Sequence, residues 1–429
     1  MRTVRGINAA REVLQKRASA SPGFIDEREQ AVRRIIADVA DRGDIAVLEY
    51  TRQFDYAGIE SLEVSRDKVK AAYQDITPGL LAALELAAKR IKAFHTAQLD
   101  AISSGTGDTG LSWLVRPLNR VGVYAPHGTA PYPSSLLMTA VPAKVAGVPE
   151  LILTTPCGSD GTIPAATLVA ADIAGVDRIF SIGGAQAIAA LALGTETIQR
   201  VDKVCGPGNI YVMLAKKLLF GTVGIDALQG PSEVLIIADD TASVEYCASD
   251  LLAQAEHDEL AEALLVTTSA ALAENVTEEI SRQLQDLSRK EIADISLEQN
   301  GIIMLVDSMD EALEIANLYA PEHLLLMVER AESYLDRIVN AGCIILGNKA
   351  TVAIGDYVAG PSHVLPTQGT ARFSSPLSVL DFVRLTNLIS VDDDSLEKLG
   401  PAAMTIAEFE GLDAHARAVE RRLKGRRTK

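Results

Sequence analysis

The sequence is poor in aromatic residues and short of positive charge. Aromatic residues make up 4% of its 429 residues, and 40 Lys and Arg stand against 57 Asp and Glu, for a formal net charge of −17. A nucleic-acid-binding protein needs basic grooves for phosphates and aromatic rings on which bases stack. We therefore expect no nucleic-acid partner, and we interpret the basic stretch RRLKGRRTK as a solvated tail.

Cysteine is also scarce, and the four present are far apart: Cys157, Cys205, Cys247 and Cys343. They form no CxxC pair, which excludes a thiolate zinc site of the usual local spacing. A disulfide framework is not expected in a chain of this size. Each cysteine lies beside an apolar segment, so we interpret all four as small core residues.

Long apolar runs are missing as well. No run approaches the ~18–20 residues that a membrane span needs, and the start MRTVRGINAAREVLQKRA has charges but no apolar centre typical of a secretion signal. We expect no membrane partner and a cytoplasmic location.

Apolar strands alternate with helices from about residue 119 onward. RVGVYAP, LILTTPC and RIFSIGG are strand-like in a first unit of about 120–228, and EVLIIAD, ALLVTTS, GIIMLV, HLLLMV and CIILG in a second of about 230–350. This alternation predicts βαβ units and parallel sheets. We expect an α/β fold of two incomplete Rossmann-like units with parallel-rich sheets, an N-terminal helical segment and a C-terminal helical domain at about 377–424.

Three glycine loops in the first unit join a strand to a helix: APHGTAPYPSS, SIGGAQ and CGPGN. Glycine lets the backbone approach a ligand closely, and a helix N-terminus presents free N–H groups to a phosphate. None is a GxGxxG or a Walker A sequence, and each alone is more often an ordinary turn. Three in one unit favour a nucleotide site of unusual form.

The chain has six histidines, and four of them lie in polar insertions. Gln254 and His257 are three apart on a predicted helix and would share a face, which gives half a metal site or a polar pair at a helix edge. Glu322 and His323 are an acid–base pair at the amino end of a predicted strand, although ligands prefer the carboxyl end.

Two further pairs follow the second unit. Asp356 and His363 lie in the long stretch IGDYVAGPSHVLP, which has little reason to be helical, and long loops are often functional. Glu410 and His415 can face one cavity only if the last helix begins between them, near Asp413.

These residues belong to motifs that resemble the histidinol dehydrogenase family nearly from end to end. The matching stretches are YPSSLLMTAVPAKVAGV, IGGAQAIAALALGTETI, VDKVCGPGNIYV, GPSEVLIIAD, LLAQAEH, APEHL and GDYVAGPSHVLPTQGTARFSS. Several distant segments match in the family's order, which makes the resemblance specific.

The resemblance implies two cofactors, Zn²⁺ and NAD, and a homodimer with shared active sites. The implied metal ligands are Gln254, His257, Asp356 and His415, with His415 supplied by the partner subunit. Glu322 and His323 match the catalytic pair. The implied NAD contacts are Tyr124, Gln186 and Asn209, which fall in or beside the three glycine loops. The implied substrate contacts are Ser232, Gln254, His257, His323, Asp356, Glu410 and His415, and His363 is a looser candidate.

The resemblance further implies oxidation of L-histidinol to L-histidine through L-histidinaldehyde with two NAD. It divides the chain into an N-terminal segment (1–20), a discontinuous first α/β domain with the metal and catalytic residues (21–123 and 233–375), an NAD-binding second α/β domain (124–232) and a C-terminal helical domain (376–429) that contributes to the partner's active site.

One departure from the family is His127, where many relatives have glycine; we assign it no metal role. A family paralogue acting on another polar alcohol, a zinc hydrolase and a catalytically silent metal-stabilised dimer remain alternatives.

Overall fold

The computed structural model describes residues 1–19, 25–103, 111–127 and 131–426. Three positions of the first glycine loop (128–130), the last three residues of the basic tail (427–429) and the boundary expected at 20/21 lie outside the described residues.

The described chain contains thirteen strands and sixteen α-helices. The strands are β1 Arg2–Arg5, β2 Leu111–Pro117, β3 Arg120–Tyr124, β4 Glu150–Thr155, β5 Arg178–Ser181, β6 Lys203–Cys205, β7 Gly224–Ile225, β8 Glu233–Ala238, β9 Glu262–Thr267, β10 Ile302–Leu305, β11 His323–Met327, β12 Cys343–Leu346 and β13 Val383–Ile389. The helices are α1 Ile7–Ser19, α2 Ile25–Arg42, α3 Asp44–Phe54, α4 Arg66–Ala72, α5 Pro78–Ser103, α6 Pro133–Val145, α7 Ala165–Ile173, α8 Gly184–Leu193, α9 Ile210–Leu219, α10 Val244–Ala255, α11 Ala270–Gln283, α12 Lys290–Gln299, α13 Met309–Tyr319, α14 Val352–Ile354, α15 Asp393–Phe409 and α16 Asp413–Arg426.

The chain divides into two compact units. The larger comprises Met1–Leu99 and Pro117–Phe382, and the smaller comprises Asp100–Arg116 and Val383–Lys429. The larger unit holds both predicted α/β sheets, and every strand pairing resolved within them is parallel. The α/β fold class with parallel-rich sheets is therefore confirmed.

The first sheet has the order β5-β4-β3-β6-β7. From β3 the chain adds β4 and β5 on one side and then β6 and β7 on the other, so the strand order reverses between β3 and β6. In open α/β sheets this reversal opens a crevice at the carboxyl ends of the strands, where ligands bind. All three glycine loops leave carboxyl ends of this sheet, after β3, β5 and β6.

The second sheet has the order β1-β10-β9-β8-β11-β12. Its central strand β8 is buried along its whole length because helices cover both faces of a parallel sheet. The sequence does not predict β1, whose residues Arg2–Arg5 pair in register with Ile302–Leu305. Four residues are too few to show a strand period, so this strand can be recognised only from its pairing with β10.

The smaller unit consists of a two-stranded sheet, β13 with β2, and the helices α15 and α16. The predicted helical segment of 377–424 is wrong at its start, because residues 383–389 are a strand. In VRLTNLI, three of the four alternate positions are apolar (Val383, Leu385 and Ile389). This strand period was obscured by the neighbouring helical pattern. Within the described ranges, no helix is long and apolar enough to cross a membrane.

Candidate active site

Glu322 and His323 lie at the amino end of β11, beside the start of β8. Both side chains are buried. The backbone N–H of Glu233 donates to Glu322 Oε2 at 2.8 Å. His323 Nε2 lies 3.2 Å from Asp356 Oδ1, and its Nδ1 lies 3.7 Å from Glu322 Oε2. The imidazole is thus held between two carboxylates from different segments.

The carboxylates decide the charge of this histidine. Burial by itself lowers the pKa of His323, but hydrogen bonds and charge from Asp356 and Glu322 raise that pKa well above its ordinary value. Burial raises the pKa of Asp356, and the neighbouring His323 reverses this, so that the net shift is downward. An imidazolium facing a carboxylate is the favoured pairing of these two groups.

Asp356 lies in a π-helical turn, Gly355–Ala359, that follows the short helix α14. The expectation of a non-helical loop is wrong for Asp356 and confirmed for His363, which lies outside any helix or strand. The Thr351 side chain caps the start of α14 by accepting from the Ala353 N–H. The turn ends at Gly360, whose φ of 123° favours glycine.

His363 contacts the backbone of Asp356. Its Nδ1 lies 2.9 Å from the carbonyl oxygen of Asp356, and its Nε2 lies 3.0 Å from Ser135 Oγ on α6. Burial lowers the pKa of His363, so a neutral tautomer with Nδ1–H donating satisfies both contacts. With both ring nitrogens engaged, His363 positions Asp356.

Gln254 and His257 do not share a helix. Helix α10 ends at Ala255, and the His257 N–H donates to the Gln254 carbonyl at 3.2 Å in a tight final turn. The predicted helix over both residues is therefore too long, because it ends before His257. His257 still lies close enough to Asp356 for its charge to lower the pKa of that carboxyl.

Gln254 is 1% exposed, and its Nε2 has no hydrogen-bond partner among the described residues. A buried amide group without a partner is costly. Since amide O and N positions are assigned rather than observed, the oxygen can face the same space. In that orientation the amide oxygen of Gln254 is a suitable ligand for a metal ion.

The elements that carry Gln254 and Asp356 are tied together by Asp250. Its buried carboxylate accepts hydrogen bonds from the Thr351 side chain and the Val352 N–H, at the start of α14. Burial raises the pKa of Asp250 to about 6, and these two hydrogen bonds oppose that shift. Asp250 precedes Gln254 by one helical turn on α10.

The remaining metal and substrate candidates are Ser232 in the larger unit and Glu410 and His415 in the smaller unit. Ser232 precedes β8 and is half-buried, with its carbonyl accepting from the Glu262 N–H at 2.9 Å. Glu410 and His415 belong to the smaller unit and are exposed, and α16 begins between them at Asp413, which meets the condition set for both to face one cavity. Within the described ranges no three His, Cys, Asp or Glu side chains are arranged to hold a metal ion.

The three NAD candidates lie at the carboxyl edge of the first sheet. Tyr124 ends β3, and its buried hydroxyl, whose pKa burial raises to about 12, accepts from the Gly184 N–H at 3.2 Å. Gln186 on α8 is 1% exposed, and its Oε1 and Nε2 have no partner among the described residues. Asn209 caps α9, with Oδ1 accepting from the N–H groups of Tyr211 and Val212 at 3.0 and 3.2 Å.

Two acids beside the candidate residues, Glu233 and Asp55, are not predicted by the sequence. Glu233 is buried at the start of β8, where Oε1 accepts from the Gln368 N–H at 2.7 Å and Oε2 has no partner among the described residues. Asp55 Oδ2 accepts from the Gly183 N–H at 3.0 Å where α8 begins. The one available signal was an acid opening the apolar run EVLIIA. The four cysteines are free thiols in the described structure; Cys157, Cys205 and Cys247 are buried, as their interpretation as core residues predicts, whereas Cys343 is half-buried.

The family comparison decides the identity of the chain. The family model of histidinol dehydrogenase matches residues 20–423. The chain belongs to the histidinol dehydrogenase family. It is 53% identical to a histidinol dehydrogenase of Dehalococcoides mccartyi over 99% of this chain and 100% of the relative. It is 49% identical to that of Clostridium acetobutylicum over 92% of each.

A solved structure shows the same fold. The crystal structure of histidinol dehydrogenase from Elizabethkingia anophelis superposes with a TM-score of 0.93 at 35% identity, covering 99% of this chain and 98% of that one. The chain is therefore an oxidoreductase with the histidinol dehydrogenase fold, as the sequence resemblance implies.

Proposed function

We propose that this chain is a homodimeric, NAD-dependent and zinc-requiring enzyme that oxidises L-histidinol to L-histidine through L-histidinaldehyde, the last steps of histidine biosynthesis. The observation that carries the proposal is the placement of His323 between Glu322 and Asp356 at the amino end of β11. Support for the substrate comes from relatives at 49–53% identity that bear the name histidinol dehydrogenase.

Each of the two oxidations removes a hydride from carbon and a proton from oxygen. NAD accepts the hydride, so the protein must supply a base and hold the reactants. We assign the base to His323. An imidazolium cannot accept a proton, so this role requires that a cation or substrate compensate the charge of Asp356, which is itself a metal candidate.

The second oxidation needs water added to the aldehyde. We assign the activation of that water to Glu322. The assignment is supported by its carboxylate, which is buried beside His323 and accepts from the Glu233 N–H. No thiol nucleophile is required. Three of the four cysteines are buried, and the fourth, Cys343, is half-buried on β12, in register with His323.

Zinc would be held by Gln254, His257 and Asp356, with His415 contributed by the partner subunit. The partnerless amide of Gln254 and the proximity of His257 to Asp356 fit such a group, and zinc accepts nitrogen and oxygen ligands. When bound, it would supply a charged anchor for the substrate's imidazole and amino nitrogens, which orients the carbinol carbon toward the nucleotide.

NAD would bind at the crevice between β3 and β6, beside Tyr124, Gln186 and Asn209. The two buried polar atoms of Gln186 suit a polar ligand, and the three glycine loops offer helix N-termini. On this proposal residues 124–232 form the NAD-binding domain, and 21–123 with 233–375 the domain of metal and catalysis.

The shared active site is supported by the surface of the smaller unit. Glu410 and His415 are exposed there, and so are the large apolar side chains Ile406 (60%) and Phe409 (93%). Exposed apolar patches mark protein interfaces. A second copy of the chain that covers this surface would place its own metal and catalytic residues beside Glu410 and His415.

The proposal is tested by nicotinamide fluorescence with L-histidinol and a panel of other amino alcohols. We expect two NADH per histidinol and turnover of the other alcohols at least ~100-fold slower. A different preferred alcohol would make the chain a family paralogue. Absence of NADH with every alcohol, together with hydrolysis of an ester or amide probe, would favour the zinc hydrolase, and no turnover of either kind would favour a silent dimer.

A further inference from the structure

A buried lysine–aspartate pair lies between the third glycine loop and the segment that leads to Ser232. Lys216 on α9 and Asp226 after β7 form an ion pair whose side chains are 1% and 2% exposed. Neither has a role in the proposed chemistry. A buried ion pair adds little net stability because desolvation offsets the attraction, so its position in the fold is its more informative property.

On one side the pair holds the glycine loop. Asp226 Oδ2 accepts from the Gly206 N–H at 2.8 Å, and Lys216 Nζ donates to the Gly206 carbonyl at 3.0 Å. Gly206 has a φ of +116°, and a Cβ there would collide with the carbonyl oxygen of Tyr124. The loop that ends in Asn209 is therefore clamped against the end of β3.

On the other side the pair holds the segment 226–232. Gln229 Nε2 donates to Asp226 Oδ2 at 3.1 Å, and Gln229 Oε1 accepts from Lys216 Nζ at 3.0 Å. One residue further, the Gly230 N–H donates to Thr367 Oγ1 at 2.7 Å. This segment ends at Ser232, directly before Glu233 and the amino end of β8.

We propose that the Lys216–Asp226 pair positions the nucleotide loop relative to the substrate segment, and so sets the approach of the nicotinamide to the carbinol carbon. This inference rests on the proposed function for its catalytic consequence. A misplacement of about 1 Å between reacting groups can cost ~100-fold in rate. The pair acts on hydride transfer through the positions of the two segments, while the side chains proposed to contact either ligand are themselves unchanged in the variants.

The double variant Lys216→Met/Asp226→Leu tests this, because it removes both charges and leaves no buried charge unpaired. We expect kcat to fall at least ~10-fold, with a larger deuterium isotope effect on carbinol-deuterated histidinol. The Kd values of NAD and histidinol, measured separately by calorimetry, should change less than about 3-fold. The matched control is Lys217→Met, the next residue on α9, which is half-exposed and pairs with Glu29 at 3.6 Å; it should change none of these.

A wild-type kcat and isotope effect in the folded double variant would overturn the proposal. So would a loss of NAD affinity that accounts for the whole loss of rate with no change in isotope effect, since that marks a merely structural role. If the double variant does not fold, Gln229→Leu cuts the link to the segment while the ion pair stays. It should then lower kcat and raise the isotope effect, and an unchanged pair of values would overturn the proposal.

Hydrogen exchange followed by mass spectrometry tests, without any turnover, whether the Lys216–Asp226 pair holds both the glycine loop and the segment 226–232. In the double variant, amides of 206–209 and of 226–232 should both exchange at least ~10-fold faster than in the wild type, with α9 itself protected. Faster exchange in only one of the two segments would show that the pair does not hold both, and would overturn the proposal. A wild-type protein that makes no NADH from histidinol would instead reject the proposed function, and this exchange result would still stand.

Discussion

Glu233 is a buried acid whose protonation should make the stability of this protein fall as pH rises. Burial, the charge of Glu262 and the nearby Glu322 raise the pKa of Glu233 from 4.5 to about 8, and the Gln368 N–H opposes them in part. The folded protein therefore holds a proton that the unfolded chain releases between these two values. Stability is lost as pH rises through that window, and the loss is complete above pH 8.

The structure sets the size of this effect. At about 1.4 kcal/mol per pKa unit, the shift corresponds to roughly 5 kcal/mol as an upper figure. Glu233→Gln removes the titration and keeps an oxygen that can accept from the Gln368 N–H. The free energy of unfolding of the variant relative to wild type should rise by about 2–3 kcal/mol between pH 5 and pH 7.

Urea unfolding followed by circular dichroism at pH 5, 6, 7 and 8 measures this difference. The matched control is Glu298→Gln, an exposed glutamate on α12, which should leave the pH dependence as in the wild type. A Glu233→Gln variant whose stability follows the wild-type pH curve in parallel would refute the reasoning, because the acid would then be ionised in the folded protein.

Three further predictions concern the site. Glu322→Gln should slow oxidation of supplied L-histidinaldehyde about 100-fold or more and that of histidinol far less; equal losses in stopped-flow NADH traces would contradict the division of roles. Asp250→Ala should weaken zinc binding about 10- to 100-fold in a competition with a chelating dye, while Asp250→Asn keeps an acceptor and should stay within about 3-fold; identical affinities in all three proteins would exclude a positioning role. Phe409→Asp should convert the proposed dimer to a monomer in sedimentation velocity, and a variant that sediments as a dimer like the wild type would place the interface elsewhere.

The sequence predicted most strands of the two parallel sheets. Apolar runs such as EVLIIA show a buried parallel strand directly, and glycine after a strand shows where the chain turns to a helix. The strand β13 was missed because its alternation stands next to a strong helical pattern. A strand of this kind is decided by its partner, β2.

The site shows the limit of spacing arguments. Gln254 and His257 are three residues apart, yet the helix ends before His257, so their geometry depends on a local turn. The roles of His363 and Asp250 could not be predicted, because each acts through a residue more than 90 positions away or through a backbone group. The only sequence signal for Glu233 is an acidic residue directly before an apolar run, and many surface residues share this pattern.

A complementation experiment tests most directly that one active site needs residues of two chains. His257→Ala and His415→Ala subunits are each expected to be inactive alone and to lose bound zinc. After denaturation together and refolding, random pairing gives half heterodimers, each with one intact site of two, so about a quarter of wild-type activity should return. Return of no activity, while refolded wild type recovers fully, would contradict the shared site.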